Sequence, residues 1–381
     1  MKIHPCLETV RAMKTFVSAV LCWMLLGLAR MDAQSTNPPP LHLAIYGLVH
    51  DHVKGFLPNL LKRDDVQLVG VVEPDRDLSR RIAAAFNLDT NLFHATLADL
   101  LAHTNVDAVA AFTSTYDHRR VVEECAPHGF TVMMEKPLAV NLKDSLAIAA
   151  AAKKYNIPVI VNYETTWYPG NQEAYRLVCE QKAIGDIRKI VVHDGHQGPK
   201  EIGCSQDFLN WLTDPKLNGG GALMDFGCYG ADLMTWLMQG EKPTSVFAVT
   251  QHIKPDVYPK VEDEATIVVT YPKAQGIIQA SWNWPYNRKD MEIYGQHGYV
   301  LIPKSDTLRV IEKYNAPETQ STAAPLTGTE ADPISYLAAV ARKQIQPSGL
   351  SSLPVNLTVM EILDAARKSA ATGKRIDLPA D

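Results

Sequence analysis

Nowhere does the sequence set two cysteines at metal-binding or CxxC spacing, and nowhere does it gather an excess of positive charge. The first absence excludes a zinc ribbon and a thioredoxin-like redox motif. The second, 37 basic against 42 acidic residues for a formal net charge of -5, leaves no broad surface for a phosphate backbone, so nucleic-acid partners are not expected. No internal repeat is visible either. What remains, 46% hydrophobic and 21% charged residues, is the balance of a globular protein rather than a disordered one. A chain of 381 residues exceeds one ordinary core, which points to two domains.

A long apolar run is also missing. The stretch Phe16–Ala29, preceded by Arg11 and Lys14, covers about 14 residues, short of the roughly 20 that a membrane-spanning helix needs. With a polar, Pro-rich stretch after it and Gly27, Ala29 and Ala33 as cleavage positions, it reads as a secretory signal over residues 1–33, followed by a linker over 34–40. A periplasmic or secreted protein without stable membrane insertion is expected. Two of the six cysteines, Cys6 and Cys22, fall in that leader, and Cys125, Cys179, Cys204 and Cys228 are expected as buried free thiols.

From Leu41 the rhythm is βαβ. Short apolar strands at Leu41–Tyr46, Val66–Val72, Val106–Phe112, Thr131–Met134 and Pro158–Val161 alternate with helical patterns at Leu78–Phe86, Arg119–His128 and Leu142–Tyr155. This predicts a doubly wound parallel sheet over residues 41–162, a Rossmann domain whose ligand lies beyond the strand carboxyl ends. After residue 186 longer strands follow, Arg188–His193, Ser245–His252, Ala265–Tyr271, Gly276–Trp284, Met291–Tyr294 and Leu308–Lys313, joined mostly by turns. An open, mostly antiparallel sheet in a substrate-binding α+β domain over 163–381 is expected, with an irregular loop at Ala316–Asp332 and a closing helix at Leu357–Ala370.

The candidate cofactor loop is poor in glycine. A dinucleotide fingerprint reads G-x-G-x-x-G, whereas Gly47-Leu48-Val49-His50-Asp51-His52 keeps only the first glycine. Glu73, at the end of the second strand, is placed to accept both ribose hydroxyls and to repel a 2′-phosphate, which favours NAD over NADP; Arg76 weakens that preference. His50 and His52 are either loop fillers or groups beside the nicotinamide.

Three further segments carry a resemblance. Thr113-Ser114-Thr115-Tyr116-Asp117-His118 is followed by Glu135-Lys136-Pro137 at a strand end, and then by Gly219-Gly220-Gly221-Ala222-Leu223-Met224-Asp225-Phe226-Gly227-Cys228-Tyr229. Together they resemble the glucose-fructose oxidoreductase and inositol dehydrogenase (Gfo/Idh/MocA) family, in which T-P-x-x-x-H, E-K-P and G-G-G-A-L-x-D-x-G-x-H occur in this order. Tyr229 stands where that family usually has His, as in its tyrosine-bearing branches. The resemblance runs from about Leu41 to the C-terminus and implies an NAD-dependent oxidoreductase, commonly a dimer or tetramer, with Thr113, Ser114, His118, Glu135, Lys136 and Pro137 lining the cofactor. Read from spacing alone, Asp225, Tyr229, Asp232 and Trp236 recur on one helical face, and the three glycines leave room for a ligand at its start.

Oxidising a secondary alcohol needs a base for the hydroxyl proton while hydride leaves to the nicotinamide. Tyr229 and Lys136 are the candidates, with Asp225 orienting them, and which of the two is the base stays open. Either must fall by roughly two or three units from a free value of about 10, Tyr229 through a nearby ammonium or Lys136 through burial. Tyr163, Trp167, Tyr168, Trp282 and Trp284, with His193, Asp194, His196 and Asp232, are expected to line a carbohydrate pocket. His193 and His196 are three residues apart, yet a strand alternates its side chains and no third ligand is evident, so no metal site is expected. Three functions fit: oxidation of a sugar or polyol hydroxyl with tightly held NAD, redox-neutral glycoside cleavage through a 3-keto intermediate, and silent sugar binding.

Overall fold

The computed structural model describes residues 38–379, so the expected signal segment lies outside the described residues. Six strands, β1 (Leu41–Tyr46), β2 (Val66–Val72), β3 (Phe93–His94), β4 (Ala108–Ala111), β5 (Thr131–Glu135) and β6 (Val159–Asn162), form a parallel sheet in the order β3-β2-β1-β4-β5-β6. β4 and β1 from Leu43 onward are buried on both faces, which is why those stretches are continuous apolar runs rather than alternating ones. Strand order reverses between β1 and β4, so a crevice opens at their carboxyl ends.

Local chemistry sets the helix limits. The helix Arg76–Phe86 begins where the Asp75 carboxylate accepts the N–H groups of Asp77 and Leu78, and stops at Asn87, whose φ of 51° is left-handed. Leu142–Tyr155 repeats the device with Asn141 and Asn156.

The second sheet has nine strands: β7 (Ile187–Gly195), β8 (Ser245–Gln251), β9 (Glu264–Thr270), β10 (Gln275–Ser281), β11 (Arg288–Gly295), β12 (Tyr299–Lys304), β13 (Thr307–Ile311), β14 (Thr319–Thr322) and β15 (Ile376–Asp377). Their order is β14-β13-β12-β11-β7-β10-β9-β8-β15, antiparallel except for the β7–β10 pair. The fold is therefore the expected Rossmann domain followed by a mostly antiparallel open sheet. β14 departs from the loop expected at Ala316–Asp332: all four of its residues are exposed, so no buried face marks it in the sequence.

The helices Gly227–Leu237 and Leu353–Thr372 cover one face of this sheet, and both are packed on it. The other face is open, with Phe247, Val268, Ile277 and Val191 aligned across four strands. The helix Pro333–Ala341 lies instead on the first sheet, where Ile334 and Leu337 join the core of Leu43, Ile45 and Phe112. Among the described residues no helix is long and apolar enough to cross a membrane. Cys125, Cys179 and Cys228 are buried free thiols, and Cys204 is a half-buried one.

Candidate active site

β5 ends in Glu135 and delivers Lys136 into the space between the sheets. There Lys136 Nζ donates to Asp225 Oδ1 at 2.5 Å and to the Asp225 carbonyl at 3.1 Å. Trp282 Nε1 donates to the other carboxylate oxygen at 2.9 Å, so Asp225 is held from two sides. Tyr229 lies next to them, its ring centre 5.1 Å from Lys136 Nζ and 4.8 Å from Lys289 Nζ. Lys136 thus converges with Asp225 and Tyr229, 89 or more positions away in the chain.

Protonation differs from the sequence expectation. Burial alone would lower Lys136, but the Asp225 carboxylate beside it outweighs that and raises it above 10.5. Burial works the other way on Asp225, and Lys136 reverses it, keeping the carboxyl below its ordinary value. Burial, with Glu164 nearby, pushes Tyr229 well above the range of a free phenol. Neither candidate base is lowered, because the ammonium charge is already matched by a carboxylate and no longer favours a phenolate.

Lys289, which sequence spacing did not single out, and Asp194, expected to line the pocket, complete the cluster. Lys289 on β11 is paired with Glu164, which also accepts from the Tyr168 hydroxyl at 2.5 Å. Asp194 on β7 is paired across strands with Lys289 by the backbone, is buried, and finds no side-chain partner among the described residues; burial raises it well above the carboxylate range, against the pull of Lys289. Alternation on β7 and β11 puts Asp194 and Lys289 on the inner face, a signal that only register reveals. His196 follows them inward, 4.9 Å from Phe226, and burial lowers its imidazole.

The remaining expected substrate residues separate. His193 points to the open face, where it meets Asp290 at 2.8 Å and Arg288 at 3.3 Å, away from Lys136. Tyr163 is fully buried, its hydroxyl 3.1 Å from Asn356 Oδ1 and its ring edge-on to Tyr229. Trp282 is buried and orients Asp225. Asp232 is buried with neither carboxylate oxygen partnered among the described residues. Trp167 lines a cleft of about 750 Å³ together with His52, Glu135, Asn162 and Glu164.

The motif helix also differs. It breaks at Phe226 into Ala222–Asp225 and Gly227–Leu237, and every residue of both parts is buried, so it has no solvated polar face. The glycines before it are needed for packing rather than for a ligand. A Cβ on Gly221 would collide with the Glu262 carbonyl, and the Glu262 carboxylate already accepts the N–H groups of Gly221 and Leu223 at 2.8 and 3.1 Å.

At the first sheet, Gly47 has φ 80° and a Cβ there would stand 3.1 Å from the Thr113 backbone. Glu73 accepts from Leu48 N and Asp75 N, one bond on each oxygen, leaving a second lone pair on each for ribose hydroxyls. A recess of about 490 Å³ adjoins it, lined by Arg76, Arg80, Thr90, Phe93 and His94, and an adenosine fits there. Between this recess and Lys136, Val49 O accepts from Trp211 Nε1 at 3.1 Å, and Asp51 accepts from Ser205 N and Oγ, both at 2.7 Å. His50 is buried against Phe208 and Trp211, and His52 Nδ1 meets Glu135 at 2.9 Å. Thr113 bonds the Ser114 carbonyl and Ser114 bonds Asp117, so both brace their own turn. His118 Nδ1 lies 3.1 Å from the Pro137 carbonyl, fixing the turn after Lys136. The residues at the recess and the strand ends fit a dinucleotide.

Known proteins place this geometry. The family description "Oxidoreductase family, NAD-binding Rossmann fold" matches residues 44–163, and "GFO/IDH/MocA C-terminal domain" matches 172–301. The trans-1,2-dihydrobenzene-1,2-diol dehydrogenase of Xenopus laevis is 27% identical over 313 residues, covering 79% of this chain and 89% of the relative. Two solved structures share the fold: the aldose-aldose oxidoreductase of Caulobacter crescentus (TM-score 0.75, 23% identity, 89% of this chain and 100% of that one) and an inositol dehydrogenase homolog from Azotobacter vinelandii complexed with NAD+ (TM-score 0.76, 17% identity, 89% and 98%). With both of its domains matched in order, the chain belongs to the Gfo/Idh/MocA family of NAD-binding oxidoreductases.

Proposed function

We propose that this oxidoreductase oxidises a secondary hydroxyl of a sugar, glycoside or related polyol, holding NAD tightly through the cycle. The observation that carries the reading is the Lys136–Asp225–Trp282 chain beside Tyr229 at the end of β5, which brings a cation, a carboxylate and a phenol together. Bound NAD supplies the hydride acceptor. Glu73 holds its ribose, and Lys136 fixes the reacting oxygen. Because Lys136 and Tyr229 both keep their protons at neutral pH, the resting cluster donates a proton to a carbonyl oxygen; oxidation of a hydroxyl first requires one of them to lose it.

The redox-neutral reading has its own support: Asp194, buried, unpartnered and raised well above its ordinary range, is a second acid near Lys136, as elimination of an aglycone needs. The signal-like leader supports export, a setting in which cofactor retained from cycle to cycle serves better than free NAD. The apolar row Phe247–Val268–Ile277–Val191 on the open sheet face is where we expect two copies to pair, which light scattering of a Phe247→Asp variant tests by loss of the oligomer.

One measurement tests the retained cofactor and a second separates the two chemistries. Denaturing the purified protein should release close to one NAD per chain; no dinucleotide before or after incubation with NAD contradicts the reading. A glycoside with a chromogenic leaving group should yield either a keto-sugar with reduced cofactor or free aglycone with the cofactor still oxidised.

A further inference from the structure

We propose that His50, His52 and Glu135 bind a divalent transition-metal ion. Each offers one ligand atom, and the three atoms all lie within 4.8 Å of one another. His52 Nδ1 and Glu135 Oε2 are 2.9 Å apart. Two ligands bonded to one ion at about 2.1 Å stand about 3.0 Å apart at a right angle and about 3.4 Å apart at a tetrahedral angle, so this hydrogen-bonded pair opens by no more than about 0.5 Å to hold an ion.

The carboxylate is fixed from behind. Trp167 Nε1 donates to Asn162 Oδ1 at 2.9 Å, and Asn162 Nδ2 donates to Glu135 Oε1 at 2.8 Å, which turns Oε2 toward the imidazole. Outer hydrogen bonds of this kind orient carboxylates that hold metals. His50 brings the third donor: its ring centre is 4.5 Å from that of His52, its Nδ1 takes only a 3.2 Å contact from the His52 N–H, and its buried Nε2 has no partner among the described residues. A neutral imidazole has one nitrogen free to ligate, so binding through Nδ1 replaces the His52 N–H contact, and binding through Nε2 moves the ring proton to Nδ1 and gives that contact up.

Two imidazole nitrogens and one carboxylate oxygen suit zinc, cobalt or iron(II), whereas calcium and magnesium take shells of oxygen. His52 and Glu135 also form part of the wall of the 750 Å³ cleft, so the ion's remaining positions face a space that admits an oxygen ligand. His193, Asp290 and Glu292 on the open sheet face also bring ligand atoms within 4.8 Å of one another, but there the Arg288 guanidinium already supplies the positive charge. The sequence conceals the site because Glu135 lies 83 positions from His52.

The proposal goes beyond the oxidoreductase reading, and its three ligands border the path expected for the dinucleotide, so the two are counted separately in the test. The test strips the full-length protein with a chelator, then titrates it with Zn²⁺ or Co²⁺, reading metal per chain after desalting and the visible absorption of bound Co²⁺. One equivalent is expected. His52→Ala, at a side chain 43% exposed, and Glu135→Gln should each weaken binding at least ~10-fold with unchanged unfolding midpoints, while Glu292→Gln binds as the unaltered protein does. No retained equivalent, or one that survives His52→Ala and disappears in Glu292→Gln, overturns the proposal. Dinucleotide released from the same samples is counted separately: metal without dinucleotide leaves the site standing and removes the hydride chemistry, and dinucleotide without metal does the reverse.

Discussion

The loop Gly47–His52 and the segment Gly219–Gly221 relate glycine to space in opposite ways. The first lies where a dinucleotide crosses the strand ends and carries Val49 and His52 at the positions the fingerprint gives to glycine; the second has three glycines and no room beside them. At Gly221 the space is taken by the Glu262 backbone and at Gly219 by the Val140 carbonyl. Glycine therefore reports that something approaches the backbone closely, and that neighbour can be the protein itself.

The largest effect expected from this contrast is at the crowded segment. Gly221→Ala should destabilise the fold by roughly 3 kcal/mol or more, since the added methyl meets backbone that cannot yield; urea unfolding measures it, and a loss below about 1 kcal/mol would mean that the packing is loose. The surroundings of the glycine-poor loop, where His50 lies beside His118, should instead respond to acid. Burial lowers His118 to about 4, and His50 moves in the same direction beside it. A folded value below the unfolded 6.5 means that the unfolded chain binds more protons, so this contribution is whole above pH 6.5 and disappears as pH falls toward 4. His118 alone accounts for roughly 3 kcal/mol, and unfolding free energies measured across that window should flatten in His118→Asn.

Smaller effects sharpen the contrast. Glu262→Gln keeps the shape but weakens two bonds to the N–H groups of Gly221 and Leu223, a cost of about 1–2 kcal/mol. Val49→Gly restores the fingerprint glycine and should lower stability by about 1–2 kcal/mol, because the Trp211 bond goes to the Val49 backbone and survives while the half-buried side chain is lost. Calorimetry of the two variants orders them, and a Val49→Gly cost above that of Gly221→Ala would reverse the comparison.

Much of the first domain was legible because parallel strands covered on both faces are mostly apolar: Leu41–Tyr46 and Val66–Val72, interrupted only by His42 and Gln67 among polar side chains, are strands at the limits read from the apolar pattern. The second sheet was readable in outline, but β12 and β14 escaped, the one disguised by Pro303 and Lys304, the other fully exposed. Lys136, Asp225 and Tyr229 stood out as motif residues. Lys289, Glu164 and the position of Asp194 did not, since they meet only through the β7–β11 register. The protonation of the cluster was misjudged for a related reason: the effect of Lys136 on Tyr229 depends on Asp225 standing 2.5 Å away, and distance is not written in spacing.

Single-turnover reduction of the bound cofactor by a polyol, followed across pH, tests most directly whether Lys136 and Tyr229 exchange a proton with the substrate oxygen. Both are raised, so the rate of oxidation should climb steadily from neutral toward alkaline pH, and Lys136→Met should reduce the cofactor at least ~1,000-fold more slowly with its fold intact. A rate in Lys136→Met equal to that of the unaltered protein, with the same dependence on pH, contradicts the assignment.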